Sequence, residues 1–322
     1  TFGYQNEGKR AACRTRLAGS PWEIAMNRAR IVLRAAGLEL ELAPGTGGAI
    51  AGFRQRGFAV MREAAPDTSD VDLFACYPLV PFSNRIGRGR FTFRGRTYQL
   101  RCDVSTGGRH AIHGEGWQHA WSVAEAGGSS ALLTLEHRGT EAGSWPFPFR
   151  AEQRFTLSGS GLTVMLALTN KAETAAPAGI GLHPYFPRHD GVILTFRARA
   201  VWHNGGDHLP STTTALPPEW DFSASRTLKE PGLDNCFAGW PGVAEIAWPA
   251  AGRTLKIEAD RCFGHAVVYT PPSSTYFAFE PVSHMNDAIN RMEVPDHGLA
   301  ILEPGASLGG TARFTIVAPS GG

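Results

Sequence analysis

Leu38-Glu39-Leu40-Glu41-Leu42 alternates apolar and charged side chains at every step. Successive side chains of a strand point to opposite faces, so the run reads as a half-buried β-strand, not a helix of 3.6-residue period. The two-residue period returns along the chain. Phe91-Thr92-Phe93 and Thr97-Tyr98-Gln99-Leu100 flank Arg94-Gly95-Arg96, a hairpin pattern. Trp121 and Val123 lead into a Gly-Gly-Ser-Ser turn, and Leu132-Leu133-Thr134-Leu135 follows it. Leu162, Val164, Leu166 and Leu168 alternate after Ser158-Gly159-Ser160-Gly161, and 266–269 and 312–317 supply later strands. With 38 glycines and 22 prolines as punctuation, no segment of ten or more residues keeps a helical period. The expected class is all-β: a large antiparallel β-sandwich with loops gathered over a cleft in one face.

Bulk properties narrow the function. The chain has 322 residues, 43% hydrophobic and 19% charged, enough for a large core. A net charge of +2 gives no ground for nucleic acid or another polyanionic partner. Arginines gather around 85–101, but apolar residues interrupt them, as on solvated strand faces. The five cysteines (13, 76, 102, 236 and 262) are odd in number and form no CxxC, which fits reduced thiols in a cytoplasmic protein. No apolar run has the length of a membrane span, and no signal-peptide core stands near the start, so no membrane association is expected. Residues 1–29 are basic, polar and aperiodic and are read as an N-terminal tail; 30–322 are read as a single domain. The Gly-, Pro-, Ser- and Thr-rich region 202–233 reads as a long connection, functional or mobile.

Five places carry groups that chemistry can use. Ala178-Gly179-Ile180-Gly181-Leu182-His183-Pro184 is an apolar strand that delivers His183 and then meets a proline, with Tyr185 and Phe186 next to face the apolar side of a sugar ring. Tyr276-Phe277-Ala278-Phe279-Glu280-Pro281 repeats the design, an aromatic strand running into Glu280. Burial there would raise the pKa of Glu280 toward the range of a general base; the alternative is a buried glutamate paired with arginine. Asn84 and Arg85 stand just before a hairpin, able to bind hydroxyls or to form a structural ion pair in a surface turn. Asp234 sits among apolar residues, either to accept hydrogen bonds from vicinal hydroxyls or to close an Asx-turn. His110-Ala111-Ile112-His113-Gly114-Glu115-Gly116-Trp117 has an HxxH-Glu pattern, but its glycines make a loop and not the helix that a zincin site needs. Sugar binding suits it better than metal, with His113 on a hydroxyl and Trp117 as a wall. A histidine titrating near neutrality and a carboxylate on two strand ends of one cleft would make an acid–base couple.

In their order these motifs resemble the aldose 1-epimerase (galactose mutarotase) family. Asn84-Arg85-Ile86-Gly87, Gly89-Arg90-Phe91, Gly95 and Tyr98-Gln99-Leu100 are similar to its NRI-G-F-G-Y-L block. His113-Gly114 with Trp117 and Trp121 resembles HG…W, and Trp145-Pro146-Phe147-Pro148-Phe149 stands where the family often has an aromatic-Pro-Gly turn, with Phe147 in place of the glycine. His183-Pro184-Tyr185-Phe186 matches HPYF, and Asp234-Asn235-Cys236-Phe237 matches DNCF. Leu209-Pro210-Ser211 with Trp220-Asp221-Phe222 resembles LPTG…DF. Glu280-Pro281 with Asp287-Ala288 and Asn290 resembles EP…DA.N, and Leu302-Glu303-Pro304-Gly305 resembles the closing L-PG turn. The resemblance runs from about residue 30 to the C-terminus. It departs at Phe279-Glu280-Pro281-Val282, where many galactose mutarotases have LExQ, and at Ser211, which replaces Thr and lacks the following Gly.

The resemblance implies that family's large β-sandwich and interconversion of the α- and β-anomers of a free aldose. It implies Glu280 as general base, His183 as general acid, His113 as a second active-site histidine, and Arg85 and Asp234 as substrate-binding residues. Asn84 and Trp117 complete the expected sugar site. No metal, nucleotide or covalent intermediate is required. A monosaccharide is the expected partner, and the chain is expected to be a monomer or weak homodimer. Three other functions compete. A hexose 6-phosphate mutarotase would need a cationic pocket, from Arg85, Arg88 and Arg90. A glycosidase would pair Asp234 with Glu280. A sugar-binding protein without catalysis would have no use for the couple.

Overall fold

In a computed structural model the described residues are 29–228 and 232–317; the expected tail falls, apart from Ala29, outside them. Two large antiparallel sheets dominate. The nine-stranded sheet runs, in spatial order, Ser122–Gly127, Ser130–His137, Phe149–Ser158, Gly161–Asn170, Ser307–Val317, Arg253–Ala259, Val243–Trp248, Ile193–Phe196 and Arg226–Thr227. The eight-stranded sheet places Pro210–Thr214, Ala200–Asn204, Asp234–Ala238, His265–Tyr269, Tyr276–Val282, Gly181–Leu182 and Pro78–Leu79 side by side, and Tyr185–Pro187 also pairs with Tyr276–Val282. A four-stranded sheet, Ile31–Ala35, Leu38–Ala43, Ala49–Gln55 and Phe58–Ala59, precedes them.

Alternation explains the burial. In Leu38–Ala43 the leucines are buried and the glutamates are half exposed. Glu39 pairs across the strands with Arg34 and Arg54. Phe149–Ser158 and Gly161–Asn170 stay in register over ten residues each, and the expected hairpins at 93–96 and 127–130 are present. Arg94 and Gly95 take φ of +48° and +78°, the two left-handed residues of a tight hairpin turn that matches strand twist. The helical pieces are three-residue 3₁₀ turns such as Val71–Leu73 and Gly116–Gln118. None is long and apolar enough to cross a membrane, among the described residues.

The two large sheets pack face to face through aromatics. Phe279 and Phe237 of one meet Phe196 of the other at ring-centroid distances of 5.0 and 5.1 Å, and Phe186 meets Phe314 at 6.5 Å. A period of two then dictates the rest. With Phe277 and Phe279 turned into the sandwich, Ala278 and Glu280 must face the other side of the eight-stranded sheet.

Two sequence expectations change here. Region 202–233 is not one irregular connection, since Trp202, His203 and Asn204 pair with Thr213, Thr212 and Pro210 within it. Phe186 is fully buried between the sheets; it follows Tyr185 by one residue and so takes the core face that Tyr185 does not.

Candidate active site

Register brings three residues into one row across the sheet. Gly181 pairs with Val282 on one side and with Leu79 on the other, so two steps along, His183 lies opposite both Glu280 and Tyr77. His183 N–H donates to Tyr77 O at 3.0 Å, and the two rings are 4.8 Å apart. His183 Nε2 is 3.2 Å from Glu280 Oε1. A parallel row, Asp234, Tyr269, Ala278 and Tyr185, lies two residues away on the same face.

Glu280 is not at a strand end. Tyr276–Val282 continues through it, and Val267 and Ala266 pair with Glu280 and Pro281. The proline is tolerated because of where its missing N–H would point. N–H groups alternate sides along a strand, and that of Ser283 donates to Ile180 O. The nitrogen of Pro281 faces the same neighbour, a strand only two residues long that breaks off at His183.

The second wall comes from Arg85–Gly87, paired with His110–Ile112. Asn84 and His113 flank this pairing, both left-handed at φ +57° and +59°. Such backbone is uncommon for non-glycine residues and concentrates at functional sites. Here it is locked: His113 N–H donates to Asn84 O at 2.9 Å, and Asn84 N–H donates to His113 Nδ1 at 3.2 Å. Nδ1 being an acceptor, the neutral His113 ring carries its proton on Nε2. Asn84 Oδ1 accepts from Arg85 N–H and Nη1 (2.9 and 3.2 Å), and Arg85 Nη2 donates to Asp234 Oδ2 at 3.1 Å. The hydrogen-bonded run His113–Asn84–Arg85–Asp234 thus borders the row of His183 and Glu280, with the His113 and His183 rings 5.2 Å apart. Gly114 permits this path: at φ +70°, a Cβ there would sit 2.3 Å from Val80 O.

Electrostatics favour neutral groups. Burial raises the Glu280 carboxyl well above its ordinary range; Asp234 adds to this and Arg85 opposes it. Burial lowers His183 well below its ordinary value, reinforced by His113 and Arg62. His183 therefore does not titrate near neutrality by itself, contrary to the sequence expectation. Burial, then Arg85, takes His113 to about 3. Glu280 Oε2 and His183 Nδ1 are buried and form no hydrogen bond within the described residues.

The expected site residues Glu280, His183, His113, Asn84, Arg85 and Asp234 therefore gather in one place. Trp117 differs: it is 2% exposed, gives its indole N–H to Gly114 O and stacks on Tyr77 at 5.6 Å. It braces Tyr77 and His113 and does not form the exposed wall expected of it. Sequence reasoning missed Tyr77 and Arg62. Tyr77-Pro78 repeats the pattern of His183-Pro184 and Glu280-Pro281, a signal that was available. The Arg62 guanidinium lies 3.8 Å from the Tyr185 ring centroid and 4.5 Å from that of Tyr276; nothing local in its sequence marks it. Arg88 and Arg90 line a separate cavity of about 560 Å³ with Asp207, Asp287 and Glu293.

Comparison with known proteins decides the family, since a model of the aldose 1-epimerases matches residues 30–315. The chain belongs to the aldose 1-epimerase family. The uncharacterized protein YphB of Escherichia coli K12 is 33% identical over 279 residues, 81% of this chain and 90% of its own length. A crystal structure from Escherichia coli K12, described only provisionally as an aldose 1-epimerase, is 30% identical, with TM-score 0.83 over 90% of this chain and 99% of that one. A galactose mutarotase-like protein of Clostridium acetobutylicum shares the fold at 18% identity, with TM-score 0.78 over 89% and 94% of the two chains. The all-β sandwich is thus the galactose mutarotase-like fold of this family.

Proposed function

We propose that the chain is an aldose 1-epimerase that interconverts the α- and β-anomers of a free aldohexose such as glucose or galactose. The observation that carries the reading is the buried contact of 3.2 Å between His183 Nε2 and Glu280 Oε1. Ring opening of a hemiacetal needs the O1 proton removed while the ring oxygen gains one. The pair carries one exchangeable proton, so neutral Glu280 with neutral His183 becomes carboxylate with imidazolium by a single transfer across that contact.

In the ion-pair form Glu280 takes the O1 proton and His183 gives its proton to the ring oxygen as C1–O5 breaks. The open aldehyde is then held beside neutral Glu280 and neutral His183, the protonation states that burial favours. Rotation about C1–C2 turns the other carbonyl face to the C5 hydroxyl. His183 takes the hydroxyl proton as O5 attacks, Glu280 protonates O1, and the pair returns to its starting form. Each positioned acid or base contributes on the order of 10²–10⁴-fold.

The remaining residues bind. His113 presents Nε2–H as a donor, and Arg85, Asp234 and Asn84 offer donors and acceptors to sugar hydroxyls. Two competing functions lose support. Arg85 is paired with Asp234, and Arg88 and Arg90 share their cavity with three carboxylates, which is poor ground for a 6-phosphate. A glycosidase would leave His183 idle. Polarimetry of freshly dissolved α-D-glucose and α-D-galactose tests the proposal. Faster decay to the unchanged equilibrium rotation is expected with at least one sugar; decay at the spontaneous rate with both would count against it.

A further inference from the structure

We propose that Glu115, His119 and His137 form a binding site for a divalent transition-metal ion, zinc being the natural probe, outside the sugar cleft. The two imidazoles and the carboxylate each bring a ligand atom within 4.8 Å of the others. They come from separate parts of the chain: Glu115 and His119 bracket the turn Gly116–Gln118, and His137 ends the strand Ser130–His137. Two imidazoles and a carboxylate are a donor set that zinc and related divalent ions accept. His119 Nε2 and Glu115 Oε2 are 3.2 Å apart. Two ligands on one tetrahedral ion with bonds of about 2.0–2.1 Å would stand roughly 3.4 Å apart.

The backing of these groups is what distinguishes them from a chance cluster. The backbone of one residue, Trp145, serves two of them. Trp145 N–H donates to Glu115 Oε1 at 2.6 Å, and Trp145 O accepts from His137 Nε2 at 2.7 Å. The first bond leaves Oε2 of Glu115 for a ligand. The second fixes the His137 tautomer, so that the lone pair of the neutral ring is on Nδ1. Metal-bound histidines commonly give their other N–H to a backbone carbonyl in this way. Trp145 is 1% exposed and stacks on Phe91, so the clamp is rigid. His119 is 39% exposed in its side chain, which gives an ion a way in and a position for water.

The two histidines of the HxxH pattern are not part of this site. His110 is held by Arg88 N–H and Asp207 O, and His113 by Asn84. Only Glu115 of that pattern contributes. A bound ion would tie the turn that follows His113-Gly114 to the end of a strand in the other sheet, restraining the loop that carries the cleft histidine.

The test is titration of the chelator-treated full chain with zinc chloride, read by calorimetry and by thermal unfolding. The expected result is one ion per chain and a higher unfolding temperature. His119→Gln and Glu115→Gln should each weaken binding tenfold or more, while His183→Asn leaves it unchanged. Gln at 115 can still accept from Trp145 N–H; should that variant fold poorly, the exposed His119→Gln decides alone. Absence of saturable zinc binding by the wild type would overturn the proposal. So would undiminished binding by His119→Gln, or loss of binding in His183→Asn, which would put the ion in the cleft.

Discussion

Replacing Glu280 by Gln removes a proton acceptor while keeping its shape. The side chain is 1% exposed and held neutral by burial, so a neutral amide takes the place of a neutral acid. The change in local packing and hydrogen bonding should stay within about 1 kcal/mol. The pH dependence is where the two proteins part. Unfolded, the carboxyl ionises near its ordinary value of about 4.3; folded, it keeps its proton to higher pH. The stability it contributes is therefore complete below that ordinary value and is lost as pH rises toward the folded-state pKa. The slope of that loss is at most about 1.4 kcal/mol per pH unit. The amide has no such loss. Between pH 5 and pH 7 Glu280→Gln should thus gain on the wild type, by on the order of 1 kcal/mol or more, while mutarotation falls by about 10²–10⁴-fold. Urea unfolding at both pH values, with polarimetry at pH 7, measures the two effects. A variant that loses ground to the wild type as pH rises would show that Glu280 is ionised and stabilised in the fold, and the reasoning would be refuted. Activity within tenfold of wild type would remove Glu280 from the reaction.

Other outcomes follow from the same geometry. Arg85→Ala should raise the apparent KM tenfold or more with a smaller change in kcat, because it removes a group proposed to bind sugar hydroxyls and frees Asp234; steady-state kinetics on the preferred sugar measures this. Gly114→Ala should destabilise the protein by about 1–3 kcal/mol, read from denaturant midpoints, because its Cβ would meet Val80 O at 2.3 Å. His113, His265 and His284 are lowered by burial to about 3, 4 and 4. Their contribution is whole above the unfolded value of about 6.5 and is lost as pH falls through the folded values, so the unfolding temperature should drop steeply from pH 6.5 to pH 4. A flat profile there would contradict the buried neutral histidines.

Much of this molecule is legible in its sequence because a strand side chain has only two faces to choose from. Leu38–Ala43 and Gly161–Asn170 show their pairing faces as plain alternation. His183 and Glu280 stand out because each is an ionisable group that interrupts an apolar strand. Cross-strand register was not legible, because it is set by partners far away in the chain. Tyr77, His183 and Glu280 form one row only after Gly181 is known to pair with both Leu79 and Val282. The place of Trp117 is hidden for a related reason: an aromatic beside glycines reads equally well as a wall or as packing, and Tyr77 decides between them. Arg62 reaches Tyr185 from a loop that only the fold brings near.

Exchange between the anomeric proton signals of a sugar at equilibrium tests the central claim most directly. Nuclear magnetic resonance with the preferred aldohexose would compare wild type, Glu280→Gln and His183→Asn. Proton transfer through the buried pair predicts rapid exchange of the α and β signals with the wild type, and exchange slowed at least a hundredfold in either variant. Wild-type exchange no faster than the spontaneous rate, or equal exchange in the three proteins, would contradict it.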